Sequence, residues 1–359
     1  MGLQENIIKV LVVDDSAFMR KALSMMLESD PQIKVIDTAR NGIEGIEKVE
    51  KLKPDLVTMD IEMPQMDGLT ALRKIMSSNP LPVMMVSSLT TDGANATLNA
   101  LDLGAVDFIP KQLSYVSLDI VKIKEQLIQK IKAIHARRRT LLARHAMARR
   151  RPAVATPTRP PQPIARSLMR KDVSIVAVGV STGGPPALQQ VIPKLPKGFP
   201  VGVLIVQHMP PNFTKSLADR LNGISHLHVK EAEHGEPIVA GAAYVAPGDK
   251  HMTIRKWGSQ AEVQLSDEPT NVLHKPSVDV MMNSVADVFG GRTLGVIMTG
   301  MGSDGVNGLR NIKSKGGKVI AQNENSCVVY GMPRAAVEGG LADKVVALER
   351  IATEIGSYF

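Results

Sequence analysis

Residues 8–20 read IKVLVVDDSAFMR, and the fold of the first part of the chain follows from this stretch. Val10–Val13 is a Val-rich, wholly apolar run, short enough for a strand buried on both faces. Asp14 and Asp15 end it, and Ser16–Leu27 follows with helical spacing that puts Phe18, Leu23, Met26 and Leu27 on one face. The unit recurs. Ile8–Val13, Lys34–Thr38, Asp55–Met59, Val83–Ser87 and Val106–Ile109 are short strands rich in Val, Ile or Met, each followed by a longer helical stretch. Five β-α units predict an α/β fold with a doubly wound parallel sheet over residues 1–125.

The chain has 359 residues, enough for about two domains at the usual ~100–200 residues each. Aromatic residues make up only 3% while Met numbers 19, so the cores are aliphatic. The single cysteine, Cys327, cannot form an intramolecular disulfide and reads as a core thiol. No apolar run approaches the ~18 residues of a membrane helix, and the N-terminus fits neither a secretory nor a myristoylation signal. The expectation is a cytoplasmic monomer without membrane insertion.

The formal charge of +8 suggests a nucleic-acid partner until it is resolved along the chain. Residues 126–171 carry 13 Lys and Arg and no acid, which leaves 30 basic against 35 acidic residues elsewhere. The basicity therefore belongs to one segment. It starts as a continuation of a helix over Leu118–His135, and five Pro between Pro152 and Pro163 mark an extended connector. Residues 172–359 return to the β-α rhythm, with SIVAVGV, VGVLIVQ, TLGVIMTG and KVIAQ as buried strands of a mostly parallel sheet.

Ligands of open parallel sheets collect at the carboxyl ends of strands. In the first domain those ends hold Asp14, Asp15, Asp60, Ser87 and Lys111. Three carboxylates together call for a hard cation, and Mg²⁺ suits an all-oxygen site that also accepts a phosphate oxygen. If Asp60 attacked a phosphoryl group, Mg²⁺ and the Lys111 ammonium would neutralise the developing charge and the Ser87 hydroxyl would donate to the product.

VLVVDDSAFMR, TMDIEMPQMDG, MVSSLT and FIPK, in that order, resemble the receiver domain of bacterial response regulators. The resemblance implies phosphorylation of Asp60 by a histidine kinase. It assigns the metal to Asp14, Asp15, Asp60 and the Glu62 carbonyl, and phosphate sensing to Ser87, Phe108 and Lys111. One departure stands out, since receivers usually follow the lysine with a cis proline and this chain has Gln112.

In the second domain a strand runs straight into GVSTGGP, a G-x-S-x-G arrangement of Gly179, Ser181 and Gly183. Small residues there allow a sharp turn that exposes a serine hydroxyl, although such a loop can equally cradle a phosphate. Of eight histidines, His208 lies just past a buried strand and before a helix that Asn212 could cap, whereas His251 and His274 lie in loops. Asp304, in the turn after TLGVIMTG, is the best placed orienting carboxylate, with Asp267 and Asp279 as alternatives. In such a triad His208 takes the Ser181 proton while Asp304 sets its tautomer. The chain order Ser, His, Asp is not that of α/β-hydrolases.

GVSTGG, QHMPPNFTKSLADRLN, YVAPGDKHM, HKPSVDVMMNSV, MTGMGSDG and AQNENSCVVYGMPRAA together resemble the catalytic domain of the chemotaxis protein-glutamate methylesterase family. The resemblance implies demethylation of glutamyl γ-methyl esters and deamidation of glutamine side chains on chemoreceptors. It places the triad on Ser181, His208 and Asp304, lines the site with Thr182 and Met301, and makes the Met301 N–H an oxyanion donor. It implies no cofactor for the hydrolase. Two other classes are weighed against it: a DNA-binding regulator, which needs a helix-turn-helix that the Gly-punctuated second half does not offer, and a nucleotide binder using GVSTGGP as a phosphate loop.

Overall fold

A computed structural model describes residues 7–111, 119–137, 173–258 and 260–359. Gln112 and most of the Pro-rich connector lie outside the described residues.

The first domain alternates β1 (Ile8–Val13), α1 (Ala17–Glu28), β2 (Ile33–Ala39), α2 (Gly42–Leu52), β3 (Leu56–Asp60), α3 (Gly68–Ser78), β4 (Val83–Ser87), α4 (Thr91–Asp102), β5 (Asp107–Pro110) and α5 (Asp119–Ala136). Its sheet has the order β2-β1-β3-β4-β5 with every pair parallel. Polar side chains start the helices at the strand ends: Ser16 accepts from the Met19 N–H and Asp67 from the Thr70 N–H. Within α1, Leu23 and Leu27 are buried but Phe18 is 47% exposed, contrary to the shared face expected for them. At 100° per residue Phe18 lies about 140° around the helix from Leu23, too far to join its stripe.

Helix α5 continues to Ala136, inside the basic segment, and fully buries Leu127, Ile131 and Ile134. Part of that segment's charge meets acids of the chain itself. Lys130 lies 2.7 Å from Asp107, Lys132 2.9 Å from Asp30 and Arg137 3.1 Å from Glu324.

The second domain contains β6 (Ile175–Val180), α6 (Gly184–Val191), β7 (Gly202–Gln207), α7 (Phe213–Ile224), β8 (His228–Glu231), β9 (Ala242–Val245), β10 (His251–Trp257), β11 (Gln260–Ser266), α8 (Val278–Phe289), β12 (Thr293–Ile297), α9 (Val306–Ser314), β13 (Lys318–Gln322), α10 (Met332–Glu338), β14 (Lys344–Val346) and α11 (Leu348–Gly356). Seven strands form one parallel sheet, β14-β13-β12-β6-β7-β9-β8, while β10 and β11 pair as a separate antiparallel hairpin. Every residue of β6 and β7 is buried. Each large aliphatic side chain there contributes about 1.5–3 kcal/mol relative to exposure. The earliest strand, β6, sits centrally with β7 on one side and β12 on the other. The chain thus leaves it in two directions, the kind of switch point where α/β sheets hold ligands.

Candidate active site

Ser181 directly follows β6, His208 directly follows β7, and Asp304 lies in the loop after β12, so the three come from the carboxyl ends of adjacent strands. The turn after β6 is tight: Gly183 has φ +76°, a conformation open to glycine, and a Cβ there would meet Val328 at 2.5 Å. Across the sheet a Cβ on Gly300 would lie 2.8 Å from the Ser181 Cβ, so the loop bearing Met301 presses on the serine. Thr182 is 2% exposed and holds the turn through its carbonyl, which accepts from the Thr299 hydroxyl at 2.9 Å.

His208 Nε2 lies 2.8 Å from Asp304 Oδ2. Asp304 also accepts from the Ser277 hydroxyl at 2.9 Å, the Val278 N–H at 2.7 Å and the Asp279 N–H at 2.9 Å. Burial alone would raise its pKa, but His208 and the N–H groups outweigh that and hold it at about 2. An ionised Asp304 makes Nε2 the protonated nitrogen of a neutral His208 and leaves the lone pair on Nδ1. Nδ1 is buried and carries no hydrogen bond, so the link between the imidazole and the Ser181 hydroxyl is open in this arrangement.

Because its folded pKa lies below the ordinary 3.8, Asp304 contributes stability that is complete above about pH 4 and is lost as the pH falls toward 2. Acid unfolding followed by circular dichroism should show this slope in the wild type and a shallower one in Asp304→Asn.

The other polar residues singled out in the sequence hold separate places. Asp267 is on the surface between Lys250 and Lys275. Asp279 turns its carboxylate to the Gly308 N–H at 2.8 Å. His251 is fully buried, with Nε2 3.1 Å from the Pro269 carbonyl and Nδ1 accepting from the Ser277 N–H. His274 stacks on His208, ring centroids 4.1 Å apart, and burial, with the neighbouring His208 second, pushes it down to about 4. Asn212 does not cap α7 with its side chain; its amide donates to the Leu89 carbonyl of the first domain at 3.0 Å. Sequence reading missed Ser277 and Gln207. Ser277 carries a helix-capping signal, and Gln207 is a lone polar residue closing an apolar strand.

Ser181, Thr182, His208 and Met301 line a cavity of about 520 Å³ whose other wall includes Phe108 and Pro110 of the first domain and Lys130 of α5. Phe108 is 5% exposed and stacks on Phe213 with centroids 4.8 Å apart. Arg220 pairs with Asp102 and donates to Asn99 at 2.9 Å, and Gln189 donates to Asp102 at 3.0 Å.

At the carboxyl end of the first sheet, Asp14, Asp15 and Asp60 offer oxygens within 4.8 Å of one another. Lys111 Nζ lies 2.5 Å from Asp60 and 3.3 Å from Asp14. Burial, reinforced by Asp14, pushes Asp60 up to about 6 in spite of Lys111. One ammonium among three carboxylates leaves an excess of hard anionic oxygen, which fits Mg²⁺. The Glu62 N–H donates to Asp60 at 3.3 Å. Ser87 is turned to the Gly93 carbonyl at 3.1 Å and accepts from Thr97 at 2.7 Å, so its hydroxyl must rotate to reach a group on Asp60.

Both parts of the chain match known families. The CheB methylesterase family matches residues 176–355, and the response regulator receiver domain matches residues 10–120. Over 97% of this chain and 98% of the relative, the sequence is 54% identical to protein-glutamate methylesterase/protein-glutamine glutaminase 1 of Oleidesulfovibrio alaskensis. It is 48% identical to the Bacillus subtilis protein-glutamate methylesterase/protein-glutamine glutaminase, over 98% of each chain. The crystal structure of the Thermotoga maritima CheB methylesterase catalytic domain aligns with 52% of this chain and 99% of its own, at TM-score 0.51 and 42% identity. With both family models matched and 54% identity along nearly the full length of such a relative, the chain belongs to the CheB methylesterase family.

Proposed function

We propose that the protein is a phosphorylation-gated hydrolase acting on glutamyl γ-methyl esters and glutamine side-chain amides of chemoreceptors. The observation that carries this reading is the hydrogen bond from His208 to an aspartate held ionised by three further donors, beside a serine at a tight strand-to-helix turn. His208 Nδ1 takes the Ser181 proton as Oγ attacks the ester carbonyl, and Asp304 stabilises the imidazolium that forms. The Met301 N–H donates to the oxyanion and Thr182 shapes the floor. Collapse expels methanol, or ammonia from an amide, with the proton returned by His208. Water then releases the glutamate by the same route.

The receiver supplies the gate. Asp60 accepts the phosphoryl group from a histidine kinase, with Mg²⁺ held by Asp14, Asp15, Asp60 and the Glu62 carbonyl. The ion those residues would hold would supply positive charge against the phosphoryl oxygens, while Lys111 and Ser87 hold the phosphorylated Asp60 and Phe108 responds. We divide the chain into a receiver over 1–125, a connector over 126–171 that begins within α5, and a catalytic domain over 172–359. The basic connector serves neither nucleic acid nor membrane insertion in this reading. It describes a cytoplasmic monomer, and no described helix is long and apolar enough to cross a membrane.

Methanol release from methylated receptor membranes, measured with and without a small phosphodonor and Mg²⁺, tests chemistry and gating together. The acidic cluster can be tested apart from activity. Millimolar Mg²⁺ should raise the Tm of the receiver by about 3 °C by binding the folded state, and Asp14→Asn should remove most of that rise.

A further inference from the structure

We propose that Gln207 is a positioning residue for the hydrolysis: its side-chain amide ties the backbone of the nucleophile to that of the base and sets their separation. This rests on the assignment of Ser181 and His208 above.

Gln207 closes β7, whose other members Gly202–Val206 are apolar, and it is 2% exposed. Its Nε2 donates to the Ser181 carbonyl at 3.0 Å and to the His208 carbonyl at 3.2 Å, so both amide hydrogens are used. The backbone ladder between β6 and β7 ends at the same level, with the His208 N–H donating to the Val180 carbonyl at 3.2 Å. Past that bond one chain enters α6 and the other the Pro210–Pro211 turn, and the Gln207 amide bridges them. The two acceptors belong to the residues that carry the nucleophile and the base.

The amide occupies a place that packing alone does not call for. Its Oε1 is buried without a hydrogen-bond partner, an arrangement that costs stability and that an apolar side chain of the same length would avoid. A Cβ on Gly184 would lie 1.8 Å from Oε1, so the start of α6 is seated against this group. A donor with two hydrogens on one atom suits two carbonyl acceptors; a carboxylate offers none and a thioether none. Because the link between His208 Nδ1 and Ser181 is open here, the approach of the two side chains remains to be made, and sub-ångström placement of their backbones governs its rate.

The test uses the full-length protein with Gln207→Met, Gln207→Glu and Ser181→Ala. For Gln207→Met, kcat for methanol release should fall about 10- to 100-fold with KM within about twofold. Capture of Ser181 by a fluorophosphonate should slow in parallel, since both need the proton to pass to His208. For Gln207→Glu, activity relative to wild type should rise between pH 8 and pH 6, because a protonated carboxyl regains one donor. Wild-type kcat in folded Gln207→Met, or a Gln207→Glu ratio flat in pH with unchanged circular dichroism, would overturn the proposal; if the Met variant does not fold, the Glu variant decides. Ser181→Ala is the separate control: retained activity there would remove the underlying assignment, whereas an inactive Ser181→Ala beside a wild-type-like Gln207→Met removes only the role of Gln207.

Discussion

Full-length protein carrying Ser181→Ala should release methanol from methylated receptor about 10⁴- to 10⁶-fold more slowly than wild type, with its Tm almost unchanged. The magnitude follows from how a nucleophile–base unit works: once the attacking oxygen is gone, His208 has no proton to accept and Asp304 no imidazolium to stabilise, so their contributions vanish with it. Substrate placement and the oxyanion donor are all that remain. The fold should tolerate the change because the turn is held by backbone contacts. The Ser181 N–H donates to the Thr299 carbonyl, and the Ser181 carbonyl accepts from Gly184 and Gln207. Substantial methanol release by folded Ser181→Ala would end the assignment.

Separating the receiver from the catalytic cavity should produce the second large effect. Phe108, Pro110 and Lys130 wall the cavity opposite Ser181, and the two domains are joined by the Phe108–Phe213 stack and by the pairing of Arg220 with Asp102. A docking preference of about 1.4–2.8 kcal/mol corresponds to a 10- to 100-fold excess of the covered state. A chain beginning at Asp172 should therefore exceed the unphosphorylated full-length protein by about that factor. The isolated Thermotoga maritima catalytic domain, which crystallised alone, makes this a practical comparison. In the intact chain Arg220→Glu sets like charges against Asp102 and should raise the unphosphorylated rate in the same direction, while Asp60→Asn should abolish stimulation by a phosphodonor and keep the basal rate. Equal rates for the shortened and intact chains would exclude covering as the gate.

Much of the fold was legible because its signals are local. Ile8–Val13, Val83–Ser87 and Lys318–Gln322 occupy the residues expected of them, since apolar runs bounded by turn residues announce a buried parallel strand. The strands passed over were of another kind. β14 is three residues long, β8 has a single apolar residue in four, β9 is half alanine, and the β10–β11 hairpin carries alternating polar residues outside the main sheet. Helical spacing groups Phe18 with Leu23 and Leu27, yet its angular position on α1 leaves it 47% exposed.

The sequence by itself determined the two β-α domains, the basic segment between them, and which side chains stand at the strand ends: Asp14, Asp15, Asp60 and Lys111 in one sheet, Ser181, His208 and Asp304 in the other. These depend on periodicity and turn chemistry within a few residues. Only the tertiary structure decided that Nδ1 of His208 is the nitrogen left for a proton, that Ser277, Val278 and Asp279 hold Asp304, that His274 covers His208, and that the Gln207 amide joins two loops. It also decided that Phe108 of β5 stacks on Phe213 of the second domain. Each of these brings together groups from segments whose order along the chain says nothing of their distance. Packing of the strands into a sheet, and of one domain on the other, sets that distance.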